Sequence, residues 1–230
     1  MNEIGFWIFV VVGVIVHELA HAITTLFFGI KKAGMRNAWS FLKNKQSFEV
    51  VASSVTLFRL HPLFRRKTIK ENVGNMLDTS TSRSYMYLAG PASHILTCAA
   101  VIIFFHESSW WLALFVVAWA GTGLHNIFPR FLPHEKCSRD GEFAMFFLFC
   151  SAPGLAMKFF HVSMEDIGPV AHEQSELNRE LTDNHEGLLT ITKMTPKQAG
   201  VVVTFWWATI ISLVDLALWA VLVLLKNLVA

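Results

Sequence analysis

Charge is scarce in this chain: Lys, Arg, Asp and Glu together make up 16% of its 230 residues, against 53% hydrophobic. That balance excludes an ordinary soluble domain and makes a bilayer the natural solvent. The formal net charge is only +2, and no long basic tract is interleaved with aromatics, which sets nucleic acid aside as a partner. Cysteine is limited to Cys98, Cys137 and Cys150 with no CxxC spacing, so neither a disulfide framework nor a cysteine metal site is indicated. No internal repeat of fixed period and no low-complexity tract is present. The first apolar stretch lacks a basic leader and runs past Ala20-His21-Ala22, which superficially fits a signal cleavage site, so it reads as a retained span.

Apolar runs of roughly 19 residues or more, enough to cross a bilayer, occur at Ile4 to Ile30, Tyr85 to Phe105, Trp110 to Phe128 and Val201 to Leu225. The fold expected is an all-α multi-pass membrane protein with about four to six transmembrane helices. The linker His106 to Ser109 is short, so the second and third spans should be antiparallel neighbours. Gly141 to Cys150 is apolar but short, which suits a helix partly embedded in protein better than an independent span. Between the first two runs, Lys31 to Arg83 is strongly basic, which by the positive-inside rule places it in the cytoplasm and the N-terminus outside. Within it, Gln46 to Leu60 is rich in Val, Ser, Thr and Phe and is a candidate β-hairpin; an amphipathic linker on the membrane surface is the alternative. Residues Glu165 to Glu186 are acidic, opposed by Arg179 alone, and read as solvent-facing. The resulting division is a membrane core over 1–150, a polar acidic segment over 151–200 and a C-terminal span over 201–230.

Chemistry concentrates in the first span. His17-Glu18-Leu19-Ala20-His21 matches HExxH, whose two histidines share one helical face and can present two imidazoles to one metal ion, with Glu18 in reach of metal-bound water. An acidic residue at the centre of a span costs roughly 2.5 to 3.5 kcal/mol on insertion scales, and a dication is the partner that suits all three side chains. The plainer reading of each histidine is a buried ring hydrogen-bonded to a neighbouring helix. A catalytic zinc takes a third protein ligand, for which Glu135, Asp140, Glu142, His94, His125 and Asp215 are candidates.

His125-Asn126-Ile127-Phe128-Pro129, then Ser138-Arg139-Asp140-Gly141, completes a pattern that resembles the site-2 protease family of intramembrane zinc metalloproteases. In that family HExxH on one core helix is followed by Asn-x-x-Pro and then Asp-Gly on a later one. The element Gly90-Pro91-Ala92-Ser93-His94 is similar to the family's Gly-Pro-x-x-Asn, with His94 in place of Asn. Arg139 stands where Leu is common, and the gap after the Pro is longer here. The matching motifs cover roughly the first 150 residues.

What the resemblance implies is that Asp140 joins His17 and His21 as the third ligand of one zinc ion, with Gly141 letting the backbone come close to the metal. It implies that Glu18 is the general base and then proton donor, and that Asn126 orients substrate or stabilises the oxyanion. It further implies a membrane-embedded or membrane-proximal protein substrate in regulated intramembrane proteolysis. The linker after the first helix would present that substrate as an added strand. The site would open to the cytoplasmic side of the cell membrane. Two other classes compete: a haem electron-transfer protein ligated by His21, His94 and His125, which leaves Glu18 unexplained, and a proteolytically silent membrane binding module. Asp215 reads either as a group for gating or water entry or as a carboxyl satisfied by a neighbouring helix.

Overall fold

Each long apolar run is a helix in the computed structural model, which describes residues 1–33, 80–105, 109–128, 130, 139–163, 165 and 193–229. In chain order the elements are α1 (Glu3–Ala33), α2 (Ser80–Phe104), α3 (Trp110–Ile127), α4 (Asp140–Ser151), α5 (Pro153–Phe160) and α6 (Pro196–Val229). Among the described residues, α1, α2, α3 and α6 are long and apolar enough to cross a membrane. The chain is therefore a multi-pass, helical membrane protein. The candidate hairpin at 46–60 lies outside the described residues, as does the acidic segment apart from Glu165.

The helix starts follow local chemistry. Asn2 Oδ1 accepts from the Gly5 N–H at 2.9 Å to cap α1, and Glu3 sits in the first turn, where the helix dipole favours an acid. Ser109 caps α3 by accepting from the Leu112 N–H at 3.2 Å. Thr195 and Gln198 bond reciprocally, and Pro196 follows the cap, so α6 starts ahead of its apolar run at Val201. The start of α2 also precedes its apolar run. Ser80, Ser82, Arg83 and Ser84 are buried, with the Arg83 guanidinium 5.4 Å from the Phe147 ring of α4.

Ring contacts give the arrangement of the helices. Phe9 meets Phe105, so α1 and α2 run antiparallel, whereas Phe6 meets Trp111 and Phe115, so α1 and α3 run parallel. Tyr87 stacks on Phe143 and Phe147 to seat α4 on α2. The core they enclose includes Leu88, Phe115, Phe146, Leu148 and Trp206. Helix α4 has only 12 residues, about 18 Å of helix, and is buried almost all round, Phe143 alone between Gly141 and Cys150 being half-buried. It is enclosed by protein and is not among the four candidate spans. Cys98 and Cys150 are buried. Ile4, Trp7, Ile8 and Val11 of α1 and Leu218, Leu222 and Leu225 of α6 are exposed, which fits contact with lipid.

Candidate metal centre

His17 and His21 lie about 21 and 27 Å along α1 from its start, on the side facing α2 and α4. Their Nε2 atoms are 3.2 Å apart. Asp140, the first residue of α4, places Oδ2 3.1 Å from His17 Nε2 and 3.4 Å from His21 Nε2. Metal bonds of about 2.0 to 2.1 Å in a tetrahedral site require ligand atoms about 3.3 Å apart, so the three separations fit one face of such a tetrahedron. Among the described residues these are the three that form a group able to hold a metal ion. Of the six third-ligand candidates the structure brings Asp140 to the two imidazoles.

Backbone groups hold the site. His21 Nδ1 donates to the Met86 carbonyl at 2.7 Å, which leaves its lone pair on Nε2. His17 Nδ1 lies 3.0 Å from His94 Nε2, and His94 Nδ1 lies 2.8 Å from the Trp119 carbonyl. Close approach of α2 depends on Gly90, where a Cβ would stand 2.4 Å from His21 Nε2 and 2.7 Å from His17 Cε1. On α1, Gly13 makes room for Trp119 of α3, since a Cβ there would sit 2.4 Å from the indole.

The start of α4 shows why two acids so close in sequence behave differently. Glu142 is fully buried, receives Arg130 Nε at 2.9 Å and accepts from the Arg139 backbone N–H at 3.2 Å. Arg139 also reaches back to the His125 carbonyl at 3.4 Å. Glu142 thus closes the first turn of α4 and ties it to α3, while Asp140 is left to face the histidines. The Arg139 that departs from the family pattern belongs to this clamp. Gly141 has a packing role: a Cβ there would lie 2.5 Å from the Ile127 carbonyl oxygen and 2.8 Å from that of Asn126, so its smallness serves the close approach of α4 to α3.

Burial alone would push the Asp140 carboxyl up. Hydrogen bonds with His17 and His21 outweigh it and hold the group at about 2, so Asp140 is an anion at neutral pH. Two imidazole nitrogens and one carboxylate oxygen are a donor set suited to a borderline divalent ion with an open fourth position.

Glu18 is half-buried beside His17, and Asn126 is half-buried in the last turn of α3, next to the backbone against which Gly141 packs. His125 and Asp215 are exposed, and Glu135 and Pro129 lie outside the described residues. Both ring nitrogens of His94 have partners within hydrogen-bonding distance, His17 Nδ1 and the Trp119 carbonyl. Sequence reasoning missed Met86, Gly90 and Trp119 as parts of the site; the Gly-Pro element on α2 carried a signal for Gly90, and nothing marks a backbone carbonyl in advance. Comparisons with family models, with curated proteins and with solved structures return no match.

Proposed function

We propose that the chain is an intramembrane zinc metalloprotease, of the kind the site-2 protease resemblance implies, acting on membrane-embedded or membrane-proximal protein segments. The observation that carries this reading is the triangle of His17 Nε2, His21 Nε2 and Asp140 Oδ2, with edges of 3.2, 3.1 and 3.4 Å, inside a helical membrane protein. His17, His21 and Asp140 would hold the ion, which supplies a Lewis acid that polarises the scissile carbonyl and makes water acidic enough to attack near neutral pH. Glu18 takes the proton from the attacking water and returns it to the departing amine nitrogen. Asn126, at the α3 end of the same junction, orients the substrate or hydrogen-bonds the developing oxyanion, in keeping with the family resemblance.

A substrate helix shields its peptide bonds with its own hydrogen bonds and must unwind before attack. Strand addition along Gln46 to Leu60 is the proposed means of holding the unwound segment. The basic stretch Lys31 to Arg83 puts that element, and access to the site, on the cytoplasmic side. The test is metal analysis of purified protein together with cleavage of a panel of single-span peptides in reconstituted vesicles. One zinc per chain and metal-dependent cleavage are expected. Zinc-loaded protein that cleaves none of the panel would count against the protease reading, and a chain without zinc would remove its basis.

A further inference from the structure

The two imidazoles are held differently: a backbone carbonyl takes the Nδ1 proton of His21, whereas His17 is met by a third histidine. The carbonyl of Trp119 can only accept, so the proton of His94 at the 2.8 Å contact is on Nδ1. His94 is 1% exposed among apolar helices, where a charged ring is costly, so the neutral form is the one that fits. Its lone pair is then on Nε2, which is 3.0 Å from His17 Nδ1. For that contact to be a hydrogen bond, His17 must carry its proton on Nδ1. Nε2 is then the His17 nitrogen left to serve an ion, the atom 3.1 Å from Asp140 Oδ2 and 3.2 Å from His21 Nε2.

The His94 ring has little freedom to do otherwise. It stacks on Trp119 with centroids 4.4 Å apart and planes 11° off parallel, and Gly123 of α3 lies so close that a Cβ would be 3.1 Å from His94 Cβ, Cγ and Nδ1. We propose that His94 is a positioning residue: by accepting from His17 Nδ1 it holds the proton there and turns Nε2 to the position shared with His21 and Asp140. The inference deepens the metalloprotease reading and rests on it for its purpose, although the tautomer itself does not require the metal. In metal sites this outer role commonly falls to a carboxylate or a carbonyl. A neutral imidazole relaying a backbone carbonyl orients the ligand equally while adding no negative charge beside Asp140.

The test uses the full chain in detergent with ¹⁵N-labelled histidine. In wild type, with or without metal, His17 is expected to carry a proton on Nδ1; a bare His17 Nδ1 overturns the proposal. Zinc affinity is then measured by chelator competition in His94→Phe, which keeps a ring against Trp119, and His94→Gln, whose amide oxygen can accept near the position of Nε2. The expected order is a loss of about 10- to 100-fold in the Phe variant and recovery of most of it by Gln. A purely packing role predicts the reverse order, and equal affinity in wild type and His94→Phe likewise overturns the inference. Should either variant fail to fold, the wild-type tautomer alone decides. If wild type holds no zinc but His17 shows the expected tautomer, the metalloprotease reading fails and the positioning by His94 stands.

Discussion

Helices α1 and α6 are alike in sequence: long, apolar, and each with a carboxylate part-way along, Glu18 in one and Asp215 in the other. In space they differ. The polar residues of α1 are met from neighbouring helices, His21 by Met86 and Asp140, His17 by His94 and Asp140, while Asp215 is exposed on the outer side of α6. An ionisable residue in a span is costly wherever it lies. What separates a site from an isolated charge is whether other elements bring complementary groups to the same point, and that is where substitutions should separate the two helices.

The largest effect is expected for the ligands. His17→Ala, His21→Ala and Asp140→Ala should each abolish stoichiometric zinc, read as metal content after gel filtration, because each removes one corner of a triangle with edges of 3.1 to 3.4 Å. Next, Glu18→Gln should keep zinc and lower turnover by at least about 10²- to 10⁴-fold, since the amide cannot accept a proton; unchanged cleavage would remove Glu18 as base. Gly90→Ala pushes a methyl into both imidazoles, and zinc affinity by competition should fall at least about tenfold, with about 1 to 3 kcal/mol of stability lost to overpacking. Glu142→Ala should cost about 1 to 3 kcal/mol in thermal unfolding by loosening the start of α4, yet retain zinc when zinc is in excess. Smallest of all, Asp215→Asn should leave zinc content and cleavage unchanged; a loss of either would place α6 in the site and erase the contrast with α1.

The spans were legible because twenty apolar residues in a row have few other uses, and the HExxH pair because a helix returns to the same face every four residues. Asp140 came from motif order, not from the residues around it, since Glu142 has the same chemistry two positions on. Only the fold reveals that Arg130 and Arg139 occupy Glu142. The motifs marked Gly90, His94 and Gly141 as positions, but the roles of the two glycines depend on how closely helices pass and that of His94 on a carbonyl of another helix, so the roles leave no local trace. A lone histidine in a span is equally compatible with ligand, haem axial group and hydrogen-bonded ring; both its nitrogens must be placed before the choice narrows.

The most direct measurement of the central claim is zinc stoichiometry, with X-ray absorption at the zinc edge, on purified wild-type, Glu18→Gln and Asp140→Ala proteins. The account predicts one zinc per chain in the first two, with a first shell of nitrogen and oxygen ligands at about 2.0 to 2.1 Å, and no stoichiometric zinc in the third. Zinc-free wild-type protein, or full zinc occupancy in Asp140→Ala, would contradict it.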